Sequence, residues 1–226
     1  MHTRPKLFVF DMIETVFSLE PVRARMVDAG LSSSALEVWF ARLLRDAFAI
    51  TAAGGYAPFT DVAQASLATV AHSMGIDDLD TNAIMQTLQS LPAHDDARQA
   101  LQECADAGVP VVALTNGTRE TTEQLLDVSG LAPLVRRVVS VADIGVWKPA
   151  AAAYRGVLDA GMEPRDAALV AVHGWDIYGA RQAGLSTGWC SRLEGVLSPA
   201  LGPADVEEDD LESVVRSLLR SDSEPA

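Results

Sequence analysis

Four short segments carry the side chains that can do chemistry in this 226-residue chain: Phe10-Asp11-Met12-Ile13-Glu14-Thr15, Leu114-Thr115-Asn116-Gly117, Trp147-Lys148-Pro149 and His173-Gly174-Trp175-Asp176. In that order they offer a carboxylate, a hydroxyl with an amide, a lysine and a second carboxylate. Such a set suits nucleophilic attack by an aspartate on a small anionic substrate, with a covalent ester dividing one hard displacement into easier steps. Thr115 and Asn116, with free backbone N–H groups at the start of the next helix, can hold a carboxylate or phosphate. A lysine a few Å from Asp11 would keep it ionised at neutral pH. Asp176 can orient Lys148 or a water, and His173 can act as general base or as a donor to substrate. Each group also has a plainer reading as a helix cap, a turn residue or a solvated loop lysine, and Trp175 as packing. Their ordered combination favours the chemistry.

The elements that must position these groups follow from the apolar pattern. Leu7–Phe10, Val109–Leu114, Val135–Ser140, Ala167–Val172 and Thr187–Cys190 read as short strands, the first ending at Asp11 and suited to burial on both faces. Helices are expected at Asp95–Ala107, Arg119–Val128, Ala150–Ala160, Asp176–Ala183 and Leu211–Leu219, with Gly108 and Gly184 as left-handed C-terminal caps. Asp209 and Asp210 suit the N-terminus of the last helix, and Ser221–Ala226 is expected to be a frayed tail. Repeating strand–helix units predict an α/β fold, a doubly wound parallel sheet, whose ligand sits beyond the carboxyl ends of the strands. Asp11, Thr115 and His173 each fall just past such an end. Between about Leu19 and Leu91 the spacing is helical throughout, with an apolar stripe of Leu36, Trp39, Phe40, Leu43, Leu44, Ala47 and Phe48. Helices are expected from about Asp61 through His72 and over Asp77–Leu91. The division predicted is a core of residues 1–17 and 93–226 with a helical cap at 18–92.

A net charge of −14 disfavours nucleic acid as a partner. No run of about 18 apolar residues and no signal-like segment is present, so no membrane partner is expected. Cys104 and Cys190 lack metal-ligand spacing and are expected to be reduced thiols of a cytoplasmic protein. Trp39, Phe40 and Phe48 exceed what one thin helix layer easily covers, which predicts a homodimer.

The ordered set Asp, Thr-Asn-Gly, Lys-Pro, Trp-Asp, with a helical insertion soon after the first motif, resembles the haloacid dehalogenase superfamily, and within it the L-2-haloacid dehalogenases. The tracts from Lys148-Pro149 to Tyr154 and from Trp175-Asp176 to Arg181 are the most similar. The resemblance implies a Rossmann-like core with an inserted cap and hydrolysis of a short 2-haloacid, such as chloro-, bromo- or fluoroacetate, to a 2-hydroxy acid. Asp11 would displace halide from C2, and water would then hydrolyse the ester at the aspartyl carbonyl. Thr115 and Asn116 would hold the substrate carboxylate, Lys148 would balance Asp11, Tyr154 and Asp176 would order it, and Thr15 would support the loop. No metal or other cofactor is required in that chemistry.

Ile13 is the discriminating residue. Phosphatases of the superfamily resemble Asp-x-Asp, whose second acid protonates a leaving alkoxide. Isoleucine cannot do so, and a halide does not need it. The chain also departs from the dehalogenase pattern: Ile13 and Glu14 stand where those enzymes carry tyrosine and glycine, and Phe40 stands where a cap arginine follows a tryptophan. Arg42 or Arg45 is the expected replacement. His173 takes the place of an asparagine and Ala171 that of a serine, so His173 is expected to supply polar work as water activator or halide donor. Ile13, Phe40 and Trp175 are expected to line the substrate site. The alternatives are a magnesium-dependent phosphatase using an unusual acid such as Glu14, and a binding or regulatory module without turnover.

Overall fold

The computed structural model describes residues 3–220. The expected tail at Ser221–Ala226 lies outside the described residues. Six strands, β1 (Leu7–Asp11), β2 (Val111–Thr115), β3 (Arg137–Ser140), β4 (Ala167–Ala171), β5 (Ser186–Cys190) and β6 (Val206–Glu208), form one sheet in the order β3-β2-β1-β4-β5-β6. Every pairing is parallel. Strands β1, β2, β4 and β5 are buried along their whole length, the pattern of a sheet covered on both faces. Successive strands leave β1 in opposite directions, toward β2 and β3 on one side and β4 to β6 on the other. The end of β1 is therefore the point where strand order reverses and a crevice opens, and Asp11 is its last residue.

Four helices lie between β1 and the first helix of the returning core: α1 (Glu20–Asp28), α2 (Ala35–Ala52), α3 (Phe59–Ser73) and α4 (Thr81–Gln86). The core then contributes α5 (Ala97–Asp106), α6 (Arg119–Val128), α7 (Ala151–Arg155), α8 (Gly174–Ala183) and α9 (Leu211–Leu219). The first four form a helical cap over the carboxyl end of the sheet. Two of the expected helices are shorter than their periodicity suggests. The one expected over Asp77–Leu91 starts only at Thr81, where Asp80 caps the Ala83 N–H at 3.1 Å, and tightens into a 3₁₀ turn over Thr87–Ser90. The one expected over Ala150–Ala160 stops at Arg155, with Gly156 at its C-cap. Strand β2 begins past Pro110, which has no N–H for the ladder. The three-residue edge strand β6 has no apolar run to announce it.

Within the chain Leu36, Trp39, Leu43, Leu44 and Ala47 of the α2 stripe are buried, and Phe40 and Phe48 are half-buried. Trp39 is fully buried and donates its indole N–H to the Ala63 carbonyl on α3 at 2.9 Å. Phe40 and Phe48 pack on His173 and Trp175, with ring centroids 5.4 and 5.3 Å apart. Cap and core thus meet through aromatic contacts beside the first aspartate. Cys104 and Cys190 are buried free thiols. Among the described residues no helix is long and apolar enough to cross a membrane.

Candidate active site

Three motifs converge on one buried group of charges. The Lys148 ammonium lies 2.7 Å from Asp11 Oδ1, 2.7 Å from Asp176 Oδ2 and 3.2 Å from the Leu114 carbonyl, so all three of its N–H bonds are used. Lys148 and Asp176 are fully buried and Asp11 is 5% exposed. Burial alone would push the Asp11 carboxyl up. The adjacent ammonium, helped by the His173 ring and by hydrogen bonds from Lys148 and Thr15, more than offsets this and holds it below the usual carboxylate range. The two carboxylates in turn raise Lys148 above an ordinary lysine despite its burial. Burial wins at Asp176, which is raised to about 6. One lysine thus keeps Asp11 ionised, while burial leaves the rear carboxylate of Asp176 easier to protonate.

The supporting bonds fix each group. Thr15 Oγ1 donates to Asp11 Oδ2, an acceptor-only carboxylate, at 2.7 Å and accepts the Val172 N–H at 3.1 Å. Tyr154 Oη donates to Asp176 Oδ1 at 2.6 Å. With Lys148 on Oδ2, both oxygens of Asp176 are occupied. Asn116 Oδ1 accepts the Lys148 backbone N–H at 3.1 Å, tying the second motif to the third. Thr115 Oγ1 accepts the Gly117 N–H at 2.9 Å. The Lys148–Pro149 peptide is cis, and Pro149 directly precedes the Ala150 N-cap of α7.

Beyond Asp11 is a chamber of about 20 Å³ between core and cap, walled by Ile13, Asn116, His173 and Trp175 from the core and by Phe40 and Leu44 from the cap. It adjoins a groove of about 390 Å³ that shares Ile13, Thr115 and Gly117 with it and runs between α6 and the cap residues Gln64, Asn82 and Gln86. His173 Nε2 is 4.0 Å from Asp11 Oδ2. The ring is stacked between Phe40 and Trp175, both at 5.4 Å. Burial lowers the His173 pKa below that of free imidazole, against the pull of the Asp11 carboxylate, so at neutral pH the contact is not an ion pair.

Most residues expected at the site are found together there: Asp11, Ile13, Thr15, Thr115, Asn116, Lys148, His173, Trp175, Asp176 and the cap residue Phe40. Tyr154 lies behind Asp176, away from the chamber. Arg42 and Arg45 do not reach it. On α2 the residues facing the chamber are Phe40, Leu43 and Leu44. At 100° per residue, positions 42 and 45 point to the far side of the helix, and Arg45 pairs with its neighbour Asp46 at 2.8 Å. The cap wall is therefore apolar where an arginine was expected.

Glu14 also turns away. It has φ 66°, the left-handed region in which a side chain is uncommon, and its carboxylate accepts the Leu19 N–H at the start of α1. Burial raises its pKa. It lines a cleft on the outer side of Phe40 and is not a wall of the Asp11 chamber. Two further residues belong to the site without any motif to announce them. Arg192, after β5, donates to the Thr15 carbonyl at 2.8 Å and pins the loop that follows Asp11. Glu194 accepts the Gly174 N–H at 3.0 Å, at the start of α8.

The chain matches the haloacid dehalogenase-like hydrolase family over residues 5–184. (S)-2-haloacid dehalogenase 4A of Burkholderia cepacia is 27% identical over 184 residues, spanning 79% of this chain and 80% of its own. The crystal structure of an L-2-haloacid dehalogenase superposes with a TM-score of 0.89 at 25% identity, over 96% of this chain and all of its own. The enzyme from Xanthobacter autotrophicus, solved with chloropropionic acid covalently bound, shares the fold with a TM-score of 0.83 at 23% identity, over 94% of this chain and 97% of its own.

Proposed function

The chain belongs to the haloacid dehalogenase-like hydrolases, and from that premise we propose that it hydrolyses short 2-haloacids to 2-hydroxy acids through an aspartyl ester. The observation that carries this reading is the buried Asp11–Lys148–Asp176 group facing a small chamber with Ile13, not an acid, two residues beyond the nucleophile. Asp11 Oδ1 is held on the Lys148 ammonium, and Oδ2 is the oxygen nearer His173. In the first step Oδ2 forms a bond to C2 as the carbon–halogen bond breaks, and halide leaves with the electron pair. Oδ1 then becomes the ester carbonyl oxygen, already on the cation that stabilises the oxyanion when water adds to Cγ. Collapse releases the 2-hydroxy acid and restores Asp11.

Thr115, Asn116 and the N–H groups at the start of α6 take the substrate carboxylate, while Ile13, Phe40 and Trp175 exclude water from the reacting carbon. Residues 18–92 act as a cap that admits substrate along the groove beside α6. Two free buried thiols support a reducing, cytoplasmic setting. A phosphatase acid at Glu14 is disfavoured by its engagement with Leu19.

The test is halide release from racemic 2-chloropropionate, 2-bromopropionate and fluoroacetate with EDTA present, with Asp11→Asn as control. Release that requires Asp11 and survives EDTA is expected. No release from any of the three would overturn the proposal.

A further inference from the structure

We propose that His173 is the general base of the second half-reaction, taking a proton from the water that hydrolyses the Asp11 ester. The inference rests on the reading of Asp11 as the alkylated nucleophile.

The other ionisable groups of the site are already committed. Lys148 uses all three N–H bonds. Both oxygens of Asp176 accept hydrogen bonds, and the side chain has no exposed surface from which to reach a water in the chamber. His173 is different. It stands at the N-cap of α8, just beyond β4, and forms part of the chamber wall opposite Asp11. The Ile13 carbonyl beside the ring favours its protonated form. Its Nε2 is buried without a hydrogen-bond partner, and with the ring proton on Nδ1 that nitrogen carries the lone pair a base needs. The stack between Phe40 and Trp175 holds the ring plane. A water needs about 10–15 Å³ of such space, and the chamber shared by Asp11 and His173 has about 20 Å³. A halide donor would need the proton on Nε2, the opposite tautomer from the one a base requires.

The charges around the ring time the transfer. The charged groups facing it are Asp11 from the end of β1, Lys148 from the loop before α7 and Glu194 from the loop after β5. Asp176 sits behind Lys148, and the cap contributes Phe40, which does not titrate. Alkylation neutralises Asp11 and removes the strongest attraction for an imidazolium while Lys148 stays charged. The ring is thus held neutral when a base is needed. Water adds to Cγ as His173 Nε2 takes one of its protons. The bond from Cγ to the ester oxygen then breaks, and that oxygen receives the proton from Nε2 as the product hydroxyl. The second water proton, left on the restored carboxyl group, passes to solvent, so each halide is accompanied by one proton.

The experiment is rapid-quench bromide release from 2-bromopropionate with intact-protein mass spectrometry, on the wild type, His173→Gln and His173→Asn. Expected for the variants are a bromide burst of one equivalent per chain at wild-type rate, turnover about 10²–10⁴-fold slower, and an adduct of the mass of the propionyl ester on Asp11. Continued turnover without adduct would overturn the proposal, and so would an equal loss of the burst in a folded variant. The wild type gives an arm that needs no variant: adduct should accumulate as pH falls below the free-imidazole range, and its absence there would count equally against the proposal. If the wild type releases no bromide at all, it is the dehalogenase reading that fails.

Discussion

The Lys148 ammonium lies 2.7 Å from the Asp11 carboxylate across 137 residues of chain, with both side chains buried. Removing the cation leaves Asp11 facing Asp176 without compensation. Breaking one partner out of a buried pair costs about 3–5 kcal/mol. Lys148→Met is expected to lose stability on that scale in urea unfolding and to release no halide. Adding Asp176→Asn should restore part of the stability and none of the activity, because Asp11 still lacks its cation.

Tyr154 acts through Asp176. Its hydroxyl lowers the Asp176 pKa against the burial that raises it to about 6. Tyr154→Phe removes that donor at a cost of about 1–3 kcal/mol for a buried acceptor left unpaired. Asp176 should then hold its proton to higher pH, and the acid limb of halide release should move upward. An unmoved limb in the pH–rate profile would show that Asp176 does not govern it.

Gly179 on α8 allows Tyr154 and Pro149 to approach. A Cβ there would fall 2.5 Å from Tyr154 Oη and 2.9 Å from the Pro149 carbonyl oxygen, which is backbone and cannot swing aside. Gly179→Ala is expected to cost about 1–3 kcal/mol of stability through overpacking. It should also lower kcat by displacing the loop that carries Lys148. Calorimetry together with steady-state halide release checks both effects.

Glu14 separates the dehalogenase reading from one that uses an acid at this position. Its carboxylate serves the Leu19 N–H, so Glu14→Gln, which keeps an acceptor, is expected to leave halide release within about twofold; the lost charge-assisted bond weakens α1 by about 1 kcal/mol. A collapse of activity with normal folding would give Glu14 a chemical role.

His173 also sets a pH dependence of stability. Its folded pKa lies below the unfolded value of 6.5, so the unfolded chain binds the proton first as pH falls. The contribution is fully present above 6.5 and is lost as pH drops toward the folded value. The stability of the wild type relative to His173→Gln, measured by urea unfolding, should therefore shrink between about pH 7.5 and 5. A constant difference would contradict the sign.

Apolar runs ending in polar residues are local features. They placed β1 and β4 within a residue of their bounds and put Asp11 and His173 at the carboxyl rim of a parallel sheet. Local capping likewise made α9 readable, through Asp210, whose side chain accepts the Ser213 N–H group. Motif order was enough to gather Asp11, Lys148 and Asp176. Sequence alone did not decide which way α2 is turned. Phe40 and Arg42 are two positions apart, and only the packing of Trp39 against α3 puts the first over His173 and the second on the far side. The same holds for Arg192, whose grip on the Thr15 carbonyl spans 177 residues with no motif to mark it, and for the unpartnered Nε2 of His173. Hydrophobic period and capping are set by neighbours a few residues away. The rotation of a helix, the partner of a loop arginine and the free nitrogen of a buried ring are set by contacts between distant segments, which exist only once the sheet and cap have closed on one another.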